Sequence, residues 1–166
     1  GKYSFATDNR KIASKNVQLK SCEAHFSAHD AFVIAADGAY VEDCDVYDAR
    51  GHTGFSLASA PNPGNINICR NYHLNRCRVL SRDYAEGQKV RYGFHFEFHV
   101  EDVIVESSEV GANCVWAVAA EEDDFVKNIK IKDLLISAEK LNGYARFGNS
   151  TNMTIDGLEV LYPCKG

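Results

Sequence analysis

The chain repeats one pattern of apolar and polar positions six times. Each copy starts with a polar residue or glycine and continues as apolar–x–apolar–x–x–(Cys, Ser or Leu)–x–apolar, as in the stretch from Asn16 to Ala24. This alternation predicts short β-strands that bury one face. Successive copies lie between 22 and 33 residues apart, a spacing typical of solenoid proteins. The copies begin at Asn16, Gly38, Asn71, Asp102, Asn128 and Asn152.

A second apolar run follows each of the first five copies, directly after a small residue. The run predicts a second strand per copy, with one column of side chains facing inward and the next facing outward. No helical pattern of about 10–15 residues separates the strands, which argues against a βαβ arrangement. The predicted inward column is Phe32, Phe55, Phe94, Val115 and Tyr144, and the outward column is Val33, Ser56, His95, Trp116 and Ala145.

The sequence therefore predicts an all-β fold, a parallel β-helix (solenoid) of about six coils, each ~4.8 Å above the last. The leading polar column supports this prediction, because Asn tolerates left-handed backbone and can bond to the equivalent side chain one coil away. A further column contains cysteine, serine and leucine in turn, so we expect its cysteines to be buried, reduced thiols. Free core thiols indicate folding in a reducing cytoplasm. The column is Cys22, Cys44, Cys77, Ser108, Leu134 and Leu158.

This pattern resembles the right-handed parallel β-helix of the pectate-lyase and pectin-lyase-like superfamily, which includes phage tailspikes. The resemblance covers residues 16–162, between an irregular N-terminal lead-in over residues 1–15 and a C-terminal tail over residues 163–166. It implies a right-handed winding and, as in tailspikes, a homotrimer. Because the chain opens in mid-register without an obvious capping helix, we expect it to be a segment of a longer protein.

One strand carries several chemically active side chains. In the run from Phe94 to His99, three phenylalanines alternate with His95, Glu97 and His99. Strand periodicity then puts the three polar side chains on one face, ~6.5–7 Å apart. A carboxylate and an imidazole on one face can act as general acid and base. We therefore predict that Glu97 is the catalytic group and that His95 and His99 tune or share its role.

Residues around this strand suit an acidic glycan. Arg91 is predicted to hold a substrate carboxylate. Trp116, expected one coil above His95, is predicted to stack on a sugar ring. The predicted substrate-binding residues are Arg91, Trp116, Tyr84, Arg82 and His52.

The sequence gives little support for a nucleic-acid partner, a membrane span or a cofactor. The net charge of −5 and the lack of a basic stripe argue against nucleic acid. No apolar run approaches the length of a membrane span, and the polar first 21 residues do not resemble a signal peptide. No cofactor motif is present, and the expected neighbours of Glu97, Ala58 and Val118, offer no metal ligand. We therefore predict no cofactor and no metal.

The sequence thus predicts a glycan-binding segment of a phage tailspike or similar surface protein, located on the virion surface or outside the cell. Hydrolytic cleavage of the glycan is the predicted activity if the chain is an enzyme, a question that the residues leave open. One alternative is a polysaccharide lyase or epimerase. The run Tyr92-Gly93-Phe94 resembles the start of an alginate-epimerase motif, but its Asp-Pro-His part is missing. The other alternative is a non-catalytic structural or adhesive solenoid.

Overall fold

The protein is built from parallel β-strands. The computed structural model describes residues 5–6, 14–58, 69–81, 90–122 and 124–162. These residues form sixteen β-strands and no helix, and every strand pairing among them is parallel. The prediction of an all-β, parallel fold is confirmed. The described residues contain no helix that could cross a membrane.

The strands form two sheets. In chain order they are β1 (Phe5–Ala6), β2 (Ser14–Lys20), β3 (Glu23–His25), β4 (Phe32–Ile34), β5 (Ala36–Glu42), β6 (Asp45–Tyr47), β7 (Thr53–Ala58), β8 (Cys69–Asn75), β9 (Arg78–Leu80), β10 (Val90–Glu97), β11 (His99–Glu106), β12 (Glu109–Val110), β13 (Cys114–Ala120), β14 (Phe125–Ile136), β15 (Leu141–Phe147) and β16 (Ser150–Val160). The first sheet has the order β1-β4-β7-β10-β13-β15. The second has the order β2-β5-β8-β11-β14-β12-β9-β6-β3, with β16 paired to β14.

The second sheet curls because one long strand joins its two flanks. The first half of β14 pairs with β11 and the second half pairs with β12. Between these halves Asp133 has a φ of 49°, which turns the strand. The two sheets share one hydrophobic core, in which Phe55 and Phe94 of the first sheet lie with Leu74 of the second.

The repeat places equivalent residues side by side, and the predicted register of its first strand is confirmed. Each member of the inward column is the direct partner of the next. The first five members are at most 6% exposed, whereas Ile155 on β16 is 40% exposed. The column is Leu19, Val41, Leu74, Val105, Ile131 and Ile155.

The leading polar column adopts the left-handed backbone that was predicted for it. Its non-glycine members have φ between 52° and 60°, and Gly38 has a φ of 87°. Asn152 Nδ2 donates to Asn128 Oδ1 at 2.7 Å, and Asn128 Nδ2 donates to Asp102 Oδ1 at 2.8 Å. These bonds join successive repeats, so the predicted side-chain ladder is confirmed at these positions.

A second left-handed column follows five positions later, and the sequence analysis missed it. Its φ values lie between 49° and 71°. Each member directly precedes the Cys/Ser/Leu column, so it marks a corner between the two flanks of the second sheet. Asp and Gly tolerate this conformation, which explains three of the six residues found there. The column is Ser21, Asp43, Arg76, Ser107, Asp133 and Gly157.

The predicted inward column of the first sheet is correct for its first three members and wrong for the last two. Phe32, Phe55 and Phe94 are register partners with stacked rings, but the partner of Phe94 on β13 is Val118 rather than Val115. Ala145 on β15 follows Val118, in place of Tyr144. This register buries Ala117, Val118, Ala119 and Ala120, which are at most 1% exposed, and leaves Val115 and Trp116 half-buried.

The described cysteines are free thiols, as expected for the core column. Cys44 and Cys77 are fully buried, and burial raises the pKa of Cys44 to about 11 and that of Cys77 to about 12. The expectation that Cys22 is buried is wrong. It is half-buried, because it directly precedes β3, the last strand in the order of the second sheet among the described residues.

Thiol labelling should follow this difference in burial. With iodoacetamide at pH 8 in native buffer, we expect Cys22 to react first and Cys44 and Cys77 to react only after the chain unfolds in urea. The thiolate is the reactive form, and the raised pKa values keep the two buried cysteines protonated. Peptide mapping by mass spectrometry distinguishes the sites. Rapid native labelling of Cys77 would contradict the core assignment.

Candidate functional site

The candidate site is centred on the C-terminal half of β10. His95 lies opposite Ser56 on β7 and opposite Ala119 on β13. Its side chain is only 4% exposed, whereas the Glu97 side chain is 19% exposed. The carboxylates of Glu97 and Asp124 lie against the two ring nitrogens of His95 and help to cover it.

Glu97 is held by two hydrogen-bond partners on one of its oxygens. Ser56 Oγ donates to Glu97 Oε1 at 2.8 Å, and His95 Nδ1 lies 2.9 Å from the same oxygen. Among the described residues, no hydrogen bond reaches Glu97 Oε2. The carboxylate is therefore fixed through Oε1 while Oε2 remains available for a ligand or a proton.

Asp124 lies on the other side of the His95 ring. Its Oδ2 is 3.6 Å from His95 Nε2, and its two oxygens accept the backbone N–H groups of Phe98 and Glu121, both at 2.6 Å. Asp124 is 5% exposed, although it ends a run of four consecutive acidic residues, 121–124. It thus fixes the chain at the end of β10 and faces the imidazole with a carboxylate.

A second histidine and carboxylate pair adjoins this group. His52 Nδ1 lies 3.2 Å from Asp30 Oδ1 and 3.0 Å from Thr53 Oγ1, and His29 Nδ1 lies 2.8 Å from Asp30 Oδ2. The rings of His52 and His95 are 5.6 Å apart, edge to face. Asp30, whose side chain is 8% exposed, therefore orients His52 toward the His95 group.

Tyr92 links the two histidines through ring contacts. Its ring centroid lies 4.2 Å from that of His95 and 5.2 Å from that of His52. Simple alternation would not bring residues 92 and 95 together. The chain is close-packed between them, since a Cβ on Gly93 would lie 2.8 Å from Val110 and 2.6 Å from the Ala117 carbonyl oxygen.

Two buried polar atoms in this region have no hydrogen-bond partner among the described residues: Tyr92 Oη and His95 Nε2. The 3.6 Å separation between His95 Nε2 and Asp124 Oδ2 is too long for a hydrogen bond. Unsatisfied buried polar atoms are uncommon in folded proteins and often mark a functional site or a bound water or ion.

The charges of the group are complementary. Burial alone would lower the pKa of His95, but Asp124 and Glu97 outweigh this effect and raise that pKa above its usual value. Burial would raise the pKa of Asp30 and of Asp124. Hydrogen bonds from His52 and His29 lower the pKa of Asp30, and contacts with His95 and two backbone N–H groups lower that of Asp124. Asp30 and Asp124 are therefore ionised carboxylates, and they favour a positive charge on the histidines beside them.

The structure brings together three of the predicted site residues, His52, His95 and Glu97. The prediction that His99 shares the face of Glu97 is wrong. Phe98 has a φ of 63°, so the chain turns after Glu97 and His99 begins a strand of the second sheet. There the His99 ring stacks on Phe125 at 5.0 Å.

The prediction that Trp116 stacks above His95 is also wrong, because the shift in register places Trp116 opposite Tyr92. The Trp116 ring covers the residue on the following strand, where a Cβ on Gly143 would lie 2.1 Å from Trp116 Cζ3. Trp116 therefore remains a half-buried aromatic surface beside Tyr92, next to the group rather than directly over it.

The predicted anion-binding side chain Arg91 lies near this aromatic surface. It is 53% exposed, its guanidinium lies 5.0 Å from the Tyr92 ring, and its Nη2 donates to Glu121 Oε1 at 3.0 Å. Arg146 binds the other oxygen of Glu121 at 3.1 Å. Two further predicted binding residues, Arg82 and Tyr84, lie outside the described residues.

The two buried acids that contact the histidines are candidate site residues that the sequence did not reveal. Asp30 and Asp124 are far apart in sequence, and only the three-dimensional fold brings each against a histidine. Asp30 did fall in the same repeat column as Tyr92, which was the one available signal. The acidic run ending at Asp124 carried none.

No protein-family model matches the chain, and comparisons with curated proteins and with solved structures found no match either.

Proposed function

We propose that the two sheets form a right-handed parallel β-helix of about six coils, and that the protein is the glycan-binding and glycan-cleaving segment of a phage tailspike or similar surface protein. The parallel pairing of every third strand in the first three repeats supports a solenoid. Connections between parallel strands are almost always right-handed, which supports the handedness. A homotrimer on the virion surface is part of this proposal, and the buried free thiols support folding in a reducing cytoplasm.

The observation that carries the activity is the group of His52, His95 and Glu97 beside an exposed cation and a flat aromatic ring. A carboxylate bonded to a buried imidazole can transfer protons, and Glu97 is the partly exposed carboxylate of the group. We assign Glu97 as the residue on which cleavage depends. His95 orients it through Oε1 and leaves Oε2 available to the reacting bond.

Substrate binding is assigned to the residues next to this group. The half-buried Trp116 offers a ring face to a sugar, and Arg91 offers a cation to a substrate carboxylate. Arg91 already contacts Glu121, so a bound carboxylate would replace that contact or share it. An acidic polysaccharide therefore suits the surface.

The test is turnover on a panel of neutral and acidic polysaccharides. New reducing ends without an increase in ultraviolet absorbance would indicate hydrolysis, as proposed. An absorbance increase from an unsaturated product would instead indicate a lyase. Binding without turnover on any member of the panel would overturn the cleavage proposal and favour an adhesive solenoid.

Replacing Trp116 by Ala should weaken glycan binding by ~1–3 kcal/mol if a sugar ring stacks there as nucleobases stack on aromatic side chains. The turnover rate of bound substrate should change little, because Trp116 lies beside Tyr92 rather than over His95. Calorimetry with the best oligosaccharide of the panel measures the effect. Tyr162→Ala, at an aromatic residue that is 50% exposed, is the control and should bind like the parent. Equal affinity of the Trp116 variant and the parent would remove Trp116 from the binding surface.

A further inference from the structure

The group at the end of β10 contains a set of donor atoms that suits a metal ion. His52, His95 and Glu97 each offer one ligand atom, and these three atoms lie within 4.8 Å of one another. Ligands of a tetrahedral Zn²⁺ ion with bonds of about 2.0–2.1 Å lie roughly 3.3–3.5 Å apart. His95 Nδ1 and Glu97 Oε1 are 2.9 Å apart and all three ligand atoms lie within 4.8 Å, so modest side-chain movements would place them around a cation.

Each of these three side chains also contacts a second polar side chain that can hold it in place. Asp30 Oδ1 lies 3.2 Å from His52 Nδ1, and Asp124 Oδ2 lies 3.6 Å from His95 Nε2. Ser56 Oγ donates to Glu97 Oε1. Histidines that bind metals almost always direct their other ring nitrogen to a carboxylate, a carbonyl or a water, because this contact fixes the ring and its tautomer. With its proton on Nδ1, His52 carries the free lone pair on Nε2.

An independent observation comes from the two unsatisfied buried atoms. The His95 side chain is only 4% exposed, and its Nε2 has no hydrogen-bond partner among the described residues. The Tyr92 hydroxyl is also buried without a hydrogen-bond partner among the described residues, and the Tyr92 ring contacts both histidine rings. A cation on His95 Nδ1 would leave the ring proton on Nε2, facing the Asp124 carboxylate. The Tyr92 ring adjoins the rings of both histidine ligands.

We propose that His52, His95 and Glu97 bind one divalent transition-metal cation of the Zn²⁺ class, with a fourth position open to water or to a substrate oxygen. Imidazole and carboxylate ligands together favour such a cation, and three protein ligands with one open position are the arrangement of catalytic rather than structural zinc sites. Glu97 binds through Oε1, the oxygen that lies 2.9 Å from His95 Nδ1.

The consequence for cleavage rests on the proposed function, whereas cation binding does not. If the substrate is an acidic polysaccharide, the open position would take one of its carboxylate oxygens and place the adjoining sugar beside Glu97. The substrate class that follows is a uronate-containing glycan. Neutral glycans offer only hydroxyl oxygens to the cation and should bind more weakly.

Isothermal titration of the EDTA-treated, dialysed protein with zinc chloride tests the site without any glycan. We expect one Zn²⁺ per chain with a dissociation constant in the micromolar range or below. His52→Gln and Glu97→Gln should each weaken binding at least ~100-fold, because each removes a ligand. Asp30→Asn should weaken it roughly 10- to 100-fold, the usual effect of removing a group that orients a ligand. His73→Ala, at a partly exposed histidine paired with Glu106, is the control and should bind like the parent.

Three results would overturn the proposal. They are no Zn²⁺ binding by the parent, unchanged affinity in the folded His52→Gln variant, and a loss in His29→Ala as large as that in His52→Gln. The last result would move the cation to His29, Asp30 and His52, the other set of donors in this region. Thermal unfolding checks that each variant is folded, and His52→Gln serves as the main variant because His52 is more exposed than His95. Zn²⁺ binding without glycan cleavage would sustain the site and reject the proposed function, whereas cleavage that survives EDTA without Zn²⁺ binding would do the reverse.

Discussion

Replacing Glu97 by Gln should abolish cleavage of the cognate glycan while the protein remains folded. An amide neither accepts nor releases a proton at neutral pH, so the rate should fall by ~10²–10⁴-fold, the usual contribution of a general acid or base. The fold should tolerate the change, because the amide oxygen can still accept the Ser56 hydroxyl that now bonds to Oε1. Reducing-end release measures the rate, and the midpoint of thermal unfolding measures the stability.

Glu159→Gln is the matched control for this experiment. Glu159 lies on the exposed last strand, away from the histidine group, and the same change of charge there should leave the rate unaltered. A Glu97→Gln variant as active as the parent would show that cleavage does not depend on this carboxylate. The group on β10 would then be a polar surface that helps to hold β7, β10 and the turn at Asp124 together.

The parallel all-β fold could be predicted from the sequence because the contacts of its repeat recur. Asn128 bonds to Asp102 one repeat earlier, and Ile131 pairs with the equivalent Val105, so one pattern determines many contacts. The second left-handed column also repeats, but its residue types did not predict it. Arg76 and Ser107 occupy it, and neither residue type signals a left-handed backbone as Asn does.

The register of the first sheet was predictable only where its inward residues differ clearly from their neighbours in the sequence. Phe55 and Phe94 mark their column, but Val115 and Val118 are chemically alike, and both follow a residue that fits a strand. In the structure Val118 lies opposite Phe94, and Ala117 and Ala120 are buried beside it. A shift of three residues at this point moved Trp116 from His95 to Tyr92 and changed its role in the proposed site.

The candidate site was predictable in its centre and not in its surroundings. His95 and Glu97 lie two residues apart on one strand, where alternation alone places them on one face. His99 follows the same alternation, but the turn at Phe98 ends the strand before it. The carboxylates of Asp30 and Asp124 come from other repeats, and their contacts depend on loop geometry that no periodicity describes.

Replacing Ile131 by Ala should lower the free energy of unfolding by ~2–5 kcal/mol, because the change leaves a cavity at a fully buried position. Ile131 is 1% exposed and lies between Val105 and Ile155 in the inward column. Ile155→Ala is the matched control, since the same atoms are removed from the adjacent position in register. Ile155 is 40% exposed, so we expect a cost of about 1 kcal/mol or less there. Urea unfolding followed by circular dichroism measures both. Equal costs at the two positions would contradict this column, because burial and not residue type distinguishes them.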